Sequence, residues 1–223
     1  MLTVYQNLIS VEEIDLFKKD FLNRIQENNM IIKDDVYDPN RLKELYNLTP
    51  EECKVLEYRS EIKDGPLRDL LEEKVYQIIP NHIQFYAAYQ RQFLPQLEHV
   101  DDINDSHDIN WCFTGVIPLE ENINNIHKTI VWDKSFKTTE NMYEYLNNLD
   151  ESTLDKTKRI DESYDIEHVL YGMSKLNYIN LDGVYNYELG SMGLFTRTHI
   201  HCSSNWKKYN LCDYKDFIIL HFG

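Results

Sequence analysis

Apolar positions in the first third of the chain recur at helical spacing, whereas those in the second half alternate or run together between turn residues. After Ser10-Val-Glu-Glu13, the residues Ile14, Phe17, Phe21, Leu22 and Ile25 fall close to a 3.6-residue period. Ser10 is a helix cap with an acid three positions on, placed to reach back to the cap's own amide. A second helix is predicted from Thr49-Pro-Glu-Glu52, where threonine caps, proline takes the first turn and two acids face the positive end. A third starts at Pro66, carries Leu67, Leu70, Leu71, Val75, Ile78 and Ile79, and stops before Pro80. These helices carry no evident chemistry and are expected to pack on one outer face of a sheet.

The character changes at His82. Residues 83–93 alternate in part and are rich in aromatic side chains, so they read as a strand ended by Pro95. Residues 111–119 read as a second strand and 129–132 as a short third one. The segment 133–185 is polar and charged with little sustained period. It is expected to be an insertion with some helix, at 141–149 and 166–173, and a candidate lid. Residues 190–201 predict one strand entered through a glycine turn, and 216–222 a last strand. Helices first and strands after predict an α+β fold with a mainly β core, a curled antiparallel sheet. With no repeat and no linker, 1–223 reads as one domain: helical support over 1–81, core over 82–132 and 186–223, and the insertion between them.

Composition narrows the function classes. A net charge of -15 repels phosphate backbones, so duplex nucleic acid is not an expected partner. Sixteen tyrosines against seven glycines fit an ordered chain with strands. Cys53, Cys112, Cys202 and Cys212 show no C-x-x-C spacing, which argues against a zinc ribbon or redox pair and for free thiols in a reducing compartment. The first residues lack a basic region followed by an apolar run, and no apolar stretch reaches the ~18 residues of a membrane span. A cytoplasmic protein without membrane association is the expectation.

The candidate chemistry lies in His99-Val-Asp101. On or just past a strand, the two ligating side chains of H-x-D share one face, and Val100 points into the scaffold. Imidazole and carboxylate suit Fe(II), Mn(II) or Zn(II), and two imidazoles plus one carboxylate can cap one face of an octahedral ion. His201 and His199 have the same strand parity. His201 is favoured as third ligand because it precedes the Ser-Ser-Asn turn, with His199 the fallback. Lys215 shares a face with Phe217, Ile219 and His221, and a bound dicarboxylate would supply the counter-charge that a buried lysine needs. Arg197 is the competing anchor, and Tyr89 could add a hydroxyl to the same carboxylate. Trp111 and Trp132 are candidate substrate contacts. Taken singly, each residue is an ordinary surface or core residue; their order within a β-rich half is what points to a site.

That order, His99-x-Asp101, His201, Lys215, resembles the Fe(II)/2-oxoglutarate-dependent oxygenases. The stretches 83–132 and 190–222 carry the likeness. The run from His201-Cys-Ser-Ser-Asn205 to Lys215 is similar to the last two core strands of the phytanoyl and prolyl hydroxylase-like branches. There, an H-x-S-x-x-N motif precedes a basic residue that grips 2-oxoglutarate. Here Asn205 comes one place early, and lysine stands where arginine is commoner. The resemblance implies a double-stranded β-helix, a cupin-like jelly roll, with Fe(II) on His99, Asp101 and His201. It also implies 2-oxoglutarate held by Lys215 with Tyr89, Arg197 and Asn205 as neighbours, and O2 as co-substrate. The implied activity is hydroxylation of a C–H bond in a peptide side chain such as proline, an amino acid or a small metabolite, with release of succinate and CO2. Two alternatives use the same pattern: a cupin-type metal protein without redox chemistry, and a non-catalytic jelly-roll module of the binding or virion type.

Overall fold

Side-chain alternation in the second half sorts the chain into three apolar layers separated by two antiparallel sheets. A computed structural model describes residues 1–27, 31–33, 57–80, 84–102, 112–155, 160, 164–166 and 174–223. Its elements are β1 (Thr3–Tyr5), α1 (Val11–Gln26), β2 (Ile31–Lys33), β3 (Glu57–Glu61), α2 (Pro66–Ile78), β4 (Phe85–Gln92), β5 (Phe113–Pro118), β6 (Lys128–Ser135), α3 (Thr139–Asn148), β7 (Leu181–Asn186), β8 (Met192–Thr196), β9 (His199–Ser203) and β10 (Lys215–Phe222). The larger sheet has the order β1-β8-β5-β10-β4-β3-β2, the smaller β7-β6-β9.

The outer layer of the larger sheet is built as its pattern predicts. Ser10 closes a capping box, its hydroxyl accepting from the Glu13 amide at 3.2 Å while its own amide donates to the Glu13 carboxylate at 2.7 Å. Ile14, Phe17 and Phe21 of α1 and Leu71 and Val75 of α2 pack against Phe85, Ala87, Tyr89, Ile117, Ile218, Leu220 and Phe222. The middle layer joins the two sheets face to face: Val116, Phe195 and Phe217 from the larger meet Val131 and Tyr185 from the smaller, with Tyr187 beside them. The third layer lies on the outer face of the smaller sheet, where Met142 and Leu146 of α3, with Ile160, Ile166, Leu176 and Ile179, cover Ile130, Trp132 and Ile200. A mainly β, α+β jelly roll with helices on the outside is the result.

Three expectations are corrected. The helical first third also holds β1 and β3, and the charged sequence of β3 becomes a strand by pairing with β4, a case of tertiary context overriding local preference. The 133–185 segment holds a helix where one was expected, α3 against 141–149, but it also contains most of the strand β7, which pairs with β6. Among the described residues, none of those lining the pocket described below belongs to that segment. Residues 190–201 are two strands, because the chain turns at Arg197-Thr198 and changes sheet, β8 pairing with β5 and β9 with β6. The expected start of the second helix at Thr49 lies outside the described residues, as does most of 166–173.

Gly190, which opens the turn before β8, has φ of 80° and a backbone so close to Ile9 that a Cβ would lie 2.5 Å from the Ile9 carbonyl oxygen. Only glycine fits there without strain. No helix among the described residues is long and apolar enough to cross a membrane.

Candidate active site

The chain leaves β4, turns at Pro95 and lays residues 99–101 along the open edge of β9. His99 and His201 exchange both backbone hydrogen bonds, at 3.0 and 2.9 Å, and the Asp101 amide donates to the Arg197 carbonyl at 3.0 Å. Two residues far apart in sequence are thereby fixed side by side, their rings 4.1 Å apart. Val100, the odd residue out, points into the apolar layer behind the smaller sheet.

The three side chains present one donor atom each to a common point. The Asp101 carboxylate oxygen lies 3.8 Å from His99 Nε2 and 3.9 Å from His201 Nε2, and all three donors lie within 4.8 Å of one another. The 3.8 and 3.9 Å spacings are wider, by about 1 Å, than the ~3 Å between adjacent ligands held about 2.1 Å from a shared octahedral ion. Both imidazoles have their orientation set by the backbone: Nδ1 of His99 sits 2.8 Å from the Leu97 carbonyl and Nδ1 of His201 sits 2.9 Å from the His199 carbonyl. With the proton on Nδ1, each Nε2 turns a lone pair to the centre.

The charges suit a cation. Burial alone would raise the Asp101 pKa, but the His201, His221 and His99 imidazoles and the Thr114 hydroxyl outweigh it and hold the carboxyl well below the usual range. Burial, followed by the neighbouring His99, lowers His201 to about 3, so its ring is neutral and ready to ligate. Thr114 and His221 carried no sequence motif. The Thr114 hydroxyl donates to Asp101 at 2.5 Å and lies 3.2 Å from His221 Nδ1. Strand parity was the one usable signal, since Thr114 and Val116 share the inner face of β5. Outer partners of metal ligands are worth about 10–100-fold in affinity. Thr114→Val is therefore expected to weaken Co(II) binding about tenfold while the thermal unfolding midpoint stays near wild type, checked by absorption titration and calorimetry.

The donor set opens onto a pocket between the sheets. His99, Asp101, His201, Thr114 and Gln96 line it together with Lys215, Ser203, Tyr187, Thr129 and the apolar Val116, Phe195, Phe217 and Ile219. Lys215 is 2% exposed. Its ammonium donates to the Tyr187 hydroxyl at 3.2 Å and the Ser203 hydroxyl at 3.3 Å, and it lies over the Tyr187 and Phe217 rings. Among the described residues it makes no ion pair. Burial lowers its pKa from 10.5 to about 7.

Other expected site residues lie elsewhere. Tyr89 is on the opposite face of β4, stacked on Phe21 at 5.0 Å in the layer under the helices, because it pairs in register with Ile218 rather than with an inward residue. Trp132 is fully buried in the layer behind β6, its indole donating to the Leu176 carbonyl at 3.0 Å. Trp111 lies outside the described residues. His199 does not join the donor cluster; its Nδ1 is 3.2 Å from the Ser135 hydroxyl. Arg197 occupies the turn between β8 and β9 and donates to the Asp102 carbonyl at 3.2 Å. Asn205 donates through its backbone to the Asp165 carbonyl, and neither it nor Arg197 lines the pocket.

No family model matches the sequence, and a search of curated proteins found no match. The fold has many counterparts among solved structures. The carbocyclase SnoK from nogalamycin biosynthesis, a non-haem α-ketoglutarate-dependent protein, superposes with a TM-score of 0.58 at 10% identity, over 99% of this chain and 78% of that one. A Pseudomonas putida prolyl-4-hydroxylase superposes at 0.53 with 9% identity, over 99% and 91%. HygX from Streptomyces hygroscopicus, with nickel and 2-oxoglutarate bound, superposes at 0.52 with 9% identity, over 100% and 82%. At such identities the likeness is one of fold.

Proposed function

We propose that this chain is an Fe(II)- and 2-oxoglutarate-dependent oxygenase, with the metal on His99, Asp101 and His201 and the far carboxylate of the co-substrate on Lys215. One observation carries the reading: a single pocket between the sheets has a two-histidine, one-carboxylate donor set and, on another wall, a buried lysine with no ion pair among the described residues. The donors fit a divalent first-row metal and leave the remaining coordination positions to ligands from the pocket. When bound, Fe(II) would supply the activation of O2 that no side chain can provide.

The chain's own residues do the rest. Lys215 offers a point charge to one carboxylate of a dicarboxylic acid, with the Ser203 and Tyr187 hydroxyls beside it. Val116, Phe195, Phe217 and Ile219 give the acid apolar walls and keep water from the reacting atoms. Thr114 fixes the Asp101 carboxylate, and the Leu97 and His199 carbonyls fix the two imidazoles. The reaction consumes a C–H bond, O2 and 2-oxoglutarate and gives the alcohol, succinate and CO2. The substrate we infer is a peptide side chain, an amino acid or a small metabolite. The acidic chain is compatible with each of these and disfavours duplex nucleic acid.

The test is anaerobic. Adding 2-oxoglutarate to the Fe(II)-reconstituted protein should produce a visible charge-transfer band, and admitting O2 with a substrate should release succinate in proportion to product. An unchanged spectrum would remove the reading and favour a metal protein without this chemistry.

A further inference from the structure

Resting on the reading above, the geometry points to Gln96 as a further residue of the site: a carboxamide that competes with the metal for His99 and, once displaced, donates to the metal-bound end of the co-substrate. Gln96 sits three residues before His99 on the loop after β4, and no sequence motif marks it. Its Nε2 lies 2.9 Å from His99 Nε2. The other ring nitrogen of His99 is engaged by the Leu97 carbonyl at 2.8 Å, so Nε2 is the lone-pair nitrogen and the amide is the donor. A metal on His99 takes the same lone pair. Both cannot hold it at once, so Gln96 must swing off its acceptor when the ion arrives.

Its own placement limits where it goes. The Gln96 side-chain oxygen accepts from Gln92 Nε2 at 3.2 Å, and its backbone carbonyl accepts from the Ser203 amide at 3.0 Å. Gln92 is 3% exposed and faces Lys215 directly in register across β4 and β10. Its Oε1 is buried without a hydrogen-bond partner among the described residues. Gln92, Gln96 and His99 therefore form a hydrogen-bonded chain, two carboxamides and an imidazole, from the strand position beside the lysine to the metal position. An acid spanning that interval lies alongside it. The oxygens such an acid places next to His99 are acceptors for the displaced Gln96 amide, as the Lys215 ammonium is a donor for the far end. Gln96 acts by positioning the co-substrate, not by reacting.

The experiment uses Co(II) as the probe and the full chain. Gln96→Met keeps the length of the side chain and removes its donor; Gln96→Glu replaces the donor with a charge. Co(II) binding is followed by absorption, and 2-oxoglutarate binding to the Co(II)-loaded protein by calorimetry. Both variants are expected to bind Co(II) several-fold more tightly than wild type, the glutamate variant more so. Both should bind 2-oxoglutarate about tenfold more weakly, whereas Lys215→Ala should weaken only the second binding. Weaker Co(II) binding in Gln96→Met would make Gln96 a ligand or a structural support and overturn the inference. So would unchanged 2-oxoglutarate binding in both variants. If wild type itself fails to bind Co(II), the metal assignment falls, an outcome distinct from either.

Discussion

Asp101→Ala is expected to abolish both metal retention and turnover. Asp101 is the one anionic donor in the cluster, and its carboxyl stays ionised because His201, His221, His99 and Thr114 together outweigh the cost of burying it. Without it, the two imidazoles face a divalent ion with no anion to offset its desolvation. Loss of an outer partner costs about 10–100-fold in metal affinity, and loss of a direct anionic ligand should exceed that, to roughly 1,000-fold or more. Metal content after dialysis should fall below stoichiometric detection, and succinate release should drop to background. Asp101→Asn, which keeps the volume and the hydrogen bond from Thr114, separates the charge from the packing and should lose the metal as well. Normal succinate production by the alanine protein would dismiss the proposed centre.

Lys215→Ala should leave the metal in place and raise the 2-oxoglutarate requirement by about 100-fold. A charge-assisted hydrogen bond is worth roughly 1.5–3 kcal/mol, and a desolvated carboxylate left without its cation loses more. The wild-type lysine also predicts a pH dependence with a definite sign. Its pKa is about 7 in the folded chain, against an ordinary 10.5. A dianionic ligand binds the protonated form, so affinity should be flat below pH 7. Above it, affinity should fall by up to tenfold per pH unit as the proton is lost, and the bound state should take up a proton. Stability runs the other way. Between pH 7 and 10.5 the unfolded chain holds the lysine proton and the folded one does not, so this residue's contribution to stability rises with pH across that window. Calorimetry of 2-oxoglutarate binding in buffers of different ionisation enthalpy measures the proton uptake. A pH-independent affinity would mean that the lysine does not face the ligand.

Much of the fold was legible because it rests on local periodicity. The capping box at Ser10, the amphipathic stripe of α1 and the face shared by Lys215, Phe217, Ile219 and His221 each follow from spacing within one element. The errors share a cause. Tyr89 and Trp132 are aromatic residues on strands, and a strand in a two-sheet molecule has an apolar layer on both faces, so aromatic content does not tell inside from outside. Residues 190–201 looked like one strand because no turn-forming residue interrupts them after Gly193. The two-residue turn that moves the chain from one sheet to the other leaves no glycine or proline behind.

The linear chain by itself determined which residue types were available for chemistry and the local elements that carry them: an H-x-D after a strand, two histidines in a later one, a lysine opening the last. Only the tertiary structure decided which of them meet. His201 joins His99 and Asp101 because the segment after Pro95 pairs with the free edge of β9, a contact across about a hundred residues that no short-range pattern encodes. The same packing set Thr114 against Asp101 and Gln96 against His99. Register between distant strands is fixed by which apolar faces must be buried together, and that is a property of the whole molecule.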